Sequence, residues 1–432
     1  MAVEKLGCLV VSHDQAIGPM LPADAIWLWF ATKFPTDQFI VFAFDGEVSV
    51  ADAIAQTVAR ARDIPYLNVR VREDKYRLRF PRWEHVEASP EQVSVHELSP
   101  PTWTGCLDAL GALTDDQLDP RVAAWRLHVF TPVHDVPVTG GPSTVVALQI
   151  NHVLGDGTRT AALAGALFGR DVMPTPIERR PAGPLLRSVA SILRARRELA
   201  RDTEAGKVPA VKSPVPALSV NERPSGTRVL RTLVRKKAQL PGPTLTTGAL
   251  VAISEALSGY LRARGEDTSQ LTAAVPVAKP GAARAYNNYD MAFVGFHHDA
   301  PSRDQQVQRI VADLMAWRRR SQHPAFAVEA AASVTVPAPL RRIAIRMVKT
   351  DKRPDMVPAH TTVSSVDRGN ADLSFGGCPV VFTTSFPALV HISSLGHGVH
   401  TIGDTLAVSV IASTPQVDLD DYLARLDAAL PH

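Results

Sequence analysis

The sequence predicts an α/β protein in two halves, and three observations lead there. Residues 144–150 form an almost unbroken run of β-branched and aliphatic side chains, the pattern of a central strand buried on both faces. That run passes through a loop bracketed by Gly155 and Gly157 into helix formers over 158–168, closed by Gly169, a residue suited to the position just past a helix. Over 171–243 the composition turns towards proline and arginine with weak strand signals, which marks a crossover. The expected organisation is a first half over 1–175, a crossover over 176–242 and a second half over 243–432.

The other elements follow from periodicity. Residues 21–30 place Asp24 ahead of an aromatic-rich helical turn whose rings suit a packed core. Residues 39–44 alternate as a strand, 50–62 carry apolar residues at helical spacing, and 66–79 read as a basic strand pair turning near Asp74. Within the crossover, Leu185, Leu186, Val189, Ile192, Leu193 and Leu199 lie on one side of a helix whose other positions hold Arg187, Arg194, Arg197 and Arg201. A basic amphipathic helix of this kind packs on its own domain or lies on an anionic membrane, and the stretch 341–349 has the same two readings. The second half opens with Thr246 or Thr247 as a helix cap, followed by Leu250, Ile253, Leu257 and Leu261 at helical spacing up to Gly265. Strands are expected over 271–277, 389–394 and 406–412, and helices over 305–317 and 419–430.

Composition narrows the function classes. With 45% hydrophobic and 21% charged residues in 432, the chain has ample material for a large globular core. A net charge of +3 is too weak to point to nucleic acid. Cys8, Cys106 and Cys378 are far apart and form no metal-binding pair, which fits a reducing compartment and a chain without a metal site. His297 and His298, and His397 and His400 in a glycine-rich stretch, lack further ligands at workable spacing and read as surface or loop histidines. No apolar stretch is long enough to span a bilayer, and the N-terminus lacks a secretory signal, so the expected location is the cytosol or a membrane surface facing it.

Chemistry concentrates in Asn151-His152-Val153-Leu154-Gly155-Asp156-Gly157. Here a buried strand opens into a loop. Strand parity, if carried to the end, puts His152 on the face of Leu148 and Ile150, with Asn151 opposite beside Gln149. An imidazole beside an apolar channel suits a general base, because its ordinary pKa lies near working pH. Asp156, between two glycines, is placed to accept loop amides or an arginine and so to fix the loop rather than to act as a nucleophile.

His152-Val153-Leu154-Gly155-Asp156-Gly157 has the His-x-x-x-Asp-Gly form that marks coenzyme-A-dependent acyltransferases and peptide condensation domains. Within that superfamily the chain resembles the bacterial wax ester synthase/diacylglycerol acyltransferase family, whose motif is His-His-x-x-x-Asp-Gly. The resemblance runs nearly end to end. Residues 118–126 are similar to the family's Leu-Asp and Pro-Leu-Trp element, 275–280 and 287–290 to its Val-Pro-Val-Ser and Gly-Asn elements, and 363–370 to its Ser-Asn-Val-Pro-Gly element.

The resemblance implies two chloramphenicol acetyltransferase-like halves, each a mixed sheet covered by helices, with an active-site tunnel between them. It implies transfer of a long-chain acyl group from coenzyme A to the hydroxyl of diacylglycerol or a fatty alcohol, giving triacylglycerol or wax ester. The partners would be acyl-CoA as co-substrate and a lipid alcohol, with contact to a membrane or lipid-droplet surface and no bound cofactor. His152 would be the base, Asp156 with Gly155 and Gly157 would shape its loop, and Asn287, Asn288, Ser364 and Ser365 would face substrate. The chain departs from the family at two points. Asn151 replaces the first histidine, and Thr246 and Thr247 stand where the family has an Asn-Asp pair. These departures define the alternatives: an impaired or non-catalytic acyl-CoA or lipid-binding protein on the same fold, or an acyltransferase for a sugar, sterol or polyketide hydroxyl.

Overall fold

The computed structural model describes residues 16–178 and 184–431; Cys8, the first residues and the side chains of Leu185 and Leu186 lie outside what it describes. Two six-stranded mixed sheets form its frame. In chain order their strands are β1 (Asp37–Asp45), β2 (Val93–His96), β3 (Trp125–Val133), β4 (Ser143–Asn151), β5 (Arg228–Lys236), β6 (Thr272–Ala278), β7 (Tyr289–Gly295), β8 (Thr361–Asp367), β9 (Ser374–Phe375), β10 (Cys378–Phe386), β11 (Leu395–Ile402) and β12 (Thr405–Ser413). The first sheet runs β9, β10, β1, β4, β3, β2, and the second runs β7, β6, β8, β11, β12, β5. The described helices are α1 (Pro22–Phe30), α2 (Val50–Asp63), α3 (Trp103–Leu113), α4 (Gly157–Leu167), α5 (Leu185–Glu204), α6 (Leu245–Arg262), α7 (Arg303–Ser321), α8 (Pro324–Ser333), α9 (Ala338–Met347) and α10 (Leu419–Ala429).

Alternation along the strands builds the layers. Ile40, Phe42 and Phe44 of β1 join Val146, Leu148 and Ile150 of β4 in a core with Ala25 and Leu28 of α1 and Leu163 and Leu167 of α4. Their neighbours Phe39, Val41, Ala43, Val145 and Ala147 face the other way. There they meet Cys106, Leu107 and Leu110 of α3 together with Leu230, Ala407 and Ile411 of the second sheet. Strand β4 is buried along its whole length because both faces are covered. A third core gathers α6 and α10 against β6, β8, β11 and β12.

The chain path corrects several expectations. β5 lies inside the stretch expected to be a crossover, where alternating Arg and apolar residues suit an edge strand. β10 comes from the second half in sequence but pairs antiparallel with β1 from Phe386↔Phe39 to Val380↔Phe44, so the boundaries 176–242 and 243–432 do not separate the sheets. The partner of strand Val69–Arg72 is Arg82–His85, beyond the span expected, because Asp74 holds the amides of Leu78 and Arg79 in a longer turn. Helix α6 is capped by Thr244, which accepts from the Thr247 amide, rather than by Thr246 or Thr247. Residues 389–394 are irregular, tied down where Ser394 bonds the Val220 carbonyl, and the strand begins at Leu395.

His397 and His400 are therefore buried strand residues and not loop histidines. Gly398 signals close approach instead of a turn: a Cβ there would lie 2.4 Å from the His400 ring, the Ser385 carbonyl and the Ser409 hydroxyl. His397 bonds Thr361 Oγ1 at 2.9 Å and Tyr422 Oη at 2.6 Å. Burial pushes its pKa down to about 3, and that of His128 down to about 4. Each contributes stability that is full above the ordinary histidine range and is lost as pH falls through these values.

Tyr422→Phe leaves a buried His397 nitrogen without its partner, and should lower stability by about 1–3 kcal/mol. Urea unfolding measures this. The double variant His397→Leu, Tyr422→Phe should recover part of the loss and resist acid better than Tyr422→Phe alone.

Candidate active site

Strand β4 stops at Asn151 and the chain enters a short 3-10 turn over His152–Leu154, so strand parity does not carry through to His152. Asn151 serves that bend. Its Oδ1 accepts from the Val153 amide at 3.2 Å, and its Nδ2 donates to Asp37 Oδ1 at 2.7 Å. Gly155 holds φ at +148°, and a Cβ there would strike the Arg159 side chain at 2.6–2.9 Å. Asp156 caps α4 by accepting from the Arg159 amide at 3.0 Å. Its second oxygen accepts from the Asn288 amide at 2.8 Å, and this ties the loop to the other half. A Cβ on Gly157 would lie 3.0 Å from Val366 of β8.

His152 is gripped from two sides. The Trp27 ring of α1 stacks on it with centroids 3.9 Å apart and planes 9° apart. Its Nδ1 lies 2.6 Å from Asn287 Oδ1. The amide orientation of Asn287 is fixed by its nitrogen, which donates to two obligate acceptors, Asp24 Oδ1 at 3.0 Å and the His152 carbonyl at 2.9 Å. The oxygen therefore faces Nδ1, Nδ1 carries the proton, and Nε2 is left with a free lone pair. Desolvation deep in the molecule pushes the His152 pKa down to about 4, outweighing the bond to Asn287, so the imidazole is neutral at ordinary pH.

A cavity of about 880 Å³ opens at this histidine. Its wall combines Trp27, Phe34 and Gln38 of the first half with Pro276, Tyr289, Met291 and Phe293 of the second, and continues to Leu314, Met315 and Trp317 of α7. Exposed residues lie on its lining at Thr158 of α4, at Pro243 and Thr244 ahead of α6, and again at Met315 and Arg318 on α7. Tyr289 stands with its ring centroid 6.1 Å from that of His152, and burial raises its pKa so that the phenol stays protonated.

The predicted residues fall into two groups. His152, Asp156, Gly157, Ser364 and Ser365 line the cavity. Asn287 and Asn288, expected to face substrate, are not part of its wall: Asn287 is spent on His152 and Asp24, and the Asn288 amide on Asp156. Ser365 Oγ accepts from Thr246 Oγ1 at 2.9 Å, so the threonine at the altered helix start also borders the cavity. Asp24, Trp27 and Tyr289 were not assigned to the site from the sequence. The available signal was an acidic residue within an otherwise apolar, aromatic helix. Among the described residues no group of three or more potential metal ligands gathers, and no helix is long and apolar enough to cross a membrane.

No protein-family model matches the sequence, and no curated protein matches it. Solved structures do resemble the fold. Wax ester synthase/diacylglycerol acyltransferase from Marinobacter aquaeolei VT8 aligns with a TM-score of 0.60 at 16% identity over 95% of this chain and 98% of that one. The starter condensation domain of the rhizomide synthetase, in a complex with C8-CoA and Leu-SNAC, aligns at 0.55 and 15% identity over 98% and 95%. The first condensation domain of the CDA synthetase aligns at 0.54 and 15% over 96% and 94%. The chain thus has the two-lobed, chloramphenicol acetyltransferase-like fold of these neighbours. The likeness covers both lobes of each of these neighbours.

Because Trp27 keeps water from the imidazole, Trp27→Ala should raise the His152 pKa from about 4 towards the ordinary range. A pH titration of the His152 ring by NMR reads this shift; a resonance that still titrates near 4 would show that stacking does not set it.

Proposed function

We propose that this protein transfers a long-chain acyl group from coenzyme A to a lipid hydroxyl, that of diacylglycerol or a fatty alcohol, with His152 as the general base. The observation that carries this reading is a neutral imidazole, proton on Nδ1 and Nε2 free, standing in a largely apolar cavity walled by both halves. Solved neighbours support it: one is a wax ester synthase/diacylglycerol acyltransferase and another was captured with C8-CoA. Coenzyme A is a co-substrate in this reading, and no bound cofactor takes part.

The acceptor hydroxyl attacks the thioester carbonyl carbon while Nε2 takes its proton. The tetrahedral intermediate then expels the thiolate, the carbon–sulfur bond breaks, and His152 returns the proton to sulfur. The products are an ester and free coenzyme A. No covalent acyl-enzyme is needed, because the thioester is already activated and the cavity has only to bring two substrates to one base. The protonated Tyr289 phenol and the Ser364 hydroxyl are the donors on the cavity wall that suit the developing oxyanion. Asp156 acts on the loop and not on the substrate.

A lipid acceptor must come from a lipid phase. Helix α9 exposes Leu340, Ile343 and Met347 in one stripe and packs on α1, which carries Trp27, while α5 exposes Val189 and Leu193 among arginines. These surfaces suit peripheral contact with an anionic lipid surface.

His152→Ala should lower acceptor-dependent thiol release from long-chain acyl-CoA by about 10²–10⁴-fold while leaving acyl-CoA binding in place. The assay uses diacylglycerol and then a fatty alcohol. Full turnover in the variant would contradict the proposed base. Binding without turnover in the wild type would favour a lipid-binding protein or a different hydroxyl acceptor.

A further inference from the structure

The bond that orients His152 does not end at Asn287. Behind the amide lies Asp24, 1% exposed, in the third position of α1. Its Oδ1 accepts from the Asn287 backbone amide at 2.9 Å and from Asn287 Nδ2 at 3.0 Å, and its Oδ2 accepts from the Tyr286 amide at 3.0 Å. A carboxylate this deep is costly unless its oxygens are bonded, and here each is. All its bonds go to the segment of the second half that holds the base.

We infer that Asp24 is a positioning residue for His152: through the Asn287 amide it fixes the Nδ1–H tautomer and stabilises the positive charge that forms on the imidazole when Nε2 takes a proton. This inference rests on the reading of His152 as a base. No proton reaches Asp24 in the step. The Nδ1–H bond to Asn287 Oδ1 strengthens as charge develops, and the amide dipole, with the carboxylate at its far end, is aligned to favour that charge. The arrangement parallels in function the carboxylate that orients a catalytic histidine directly, with an amide inserted between the two groups.

Charge around Asp24 is sparse. The Arg159 guanidinium of α4 attracts it, held between Tyr66 at 4.4 Å and Tyr286 at 4.0 Å with Nη1 on the Thr175 carbonyl. On the α9 side, Arg342 lies over Trp29 at 5.1 Å and pairs with Glu73. Burial outweighs the hydrogen bonds and Arg159, and pushes the Asp24 pKa up to about 6. The group that first disables the site as pH falls is then Asp24, since His152 itself takes up a proton only near 4.

Two readouts on the full chain test this. The first is the ¹⁵N spectrum of the imidazole, which reports tautomer and titration without any substrate. In the wild type the His152 nitrogens should show a protonated Nδ1 at neutral pH and a shift with midpoint near 6 as Asp24 is neutralised, followed by His152 protonation near 4. In Asp24→Asn the midpoint near 6 should vanish, and in Asn287→Ala the tautomers should mix.

The second readout is kcat/KM against pH. Its acid limb should lie near 6 in the wild type and move lower in Asp24→Asn, with kcat at the plateau reduced by about ten- to a hundredfold, a part of what general-base catalysis supplies, and KM little changed. A folded Asp24→Asn variant with unchanged tautomer and acid limb would overturn the inference. If that variant does not fold, a wild-type His152 spectrum with no step near 6 does the same. A protein that shows the spectral behaviour but no turnover would contradict the proposed acyl transfer and leave the Asp24 linkage standing.

Discussion

Everything at the centre of this molecule depends on one hydrogen bond between its halves, from His152 at the end of β4 to Asn287 ahead of β7. A histidine at the floor of a cavity between two sheets has no neighbours of its own on the open side, so its ring must be held from across the gap. The second half supplies that hold twice, through Asn287 on the imidazole and through the Asn288 amide on Asp156. The motif loop is thereby stretched between two partners, and the cavity keeps its shape because both of its walls are tied to the same few residues.

The sheets explain how such a site is afforded structurally. β10 leaves the second half and joins the first sheet beside β1, so the second half of the chain contributes strands to both sheets. Leu230, Ala407 and Ile411 from the second sheet pack with Val41, Ala147 and Phe382 in one buried layer. That layer carries the adhesion between the halves, which leaves the region around His152 free to stay open. Burial of the two side chains drives the pKa of His152 down and that of Asp24 up.

Much of this was legible in the sequence. The uniform apolar run of β4 announced a strand covered on both sides, and Gly155 and Gly157 around Asp156 announced the loop, because these depend on local chain chemistry. The role of Asp24 was not legible. Its three donors come from residues 286 and 287, more than 260 positions away, and no local pattern encodes that meeting. For the same reason the sequence leaves Asn287 open between a substrate contact and a loop asparagine that satisfies backbone groups, since its partners Asp24 and His152 are distant in the chain. The glycines of β11 mislead in the opposite direction: Gly396 and Gly398 look like a loop until the fold brings Ile411 and Pro387 against the first and Ser385 and Ser409 against the second. The edge strand β5 is hidden in the sequence because arginine and threonine dilute its apolar face, as edge strands commonly require.

In the proposed reaction a thioester and an alcohol meet at one histidine, and the acyl group passes directly from one to the other. Single-turnover mixing of excess protein with long-chain acyl-CoA, followed by rapid quench, tests it most directly. Without acceptor, the thioester should bind and stay intact with no burst of free thiol; with diacylglycerol or fatty alcohol present, one equivalent each of thiol and ester should appear together. A thiol burst without acceptor, leaving acyl groups on the protein, or intact thioester with every lipid alcohol offered, would contradict it.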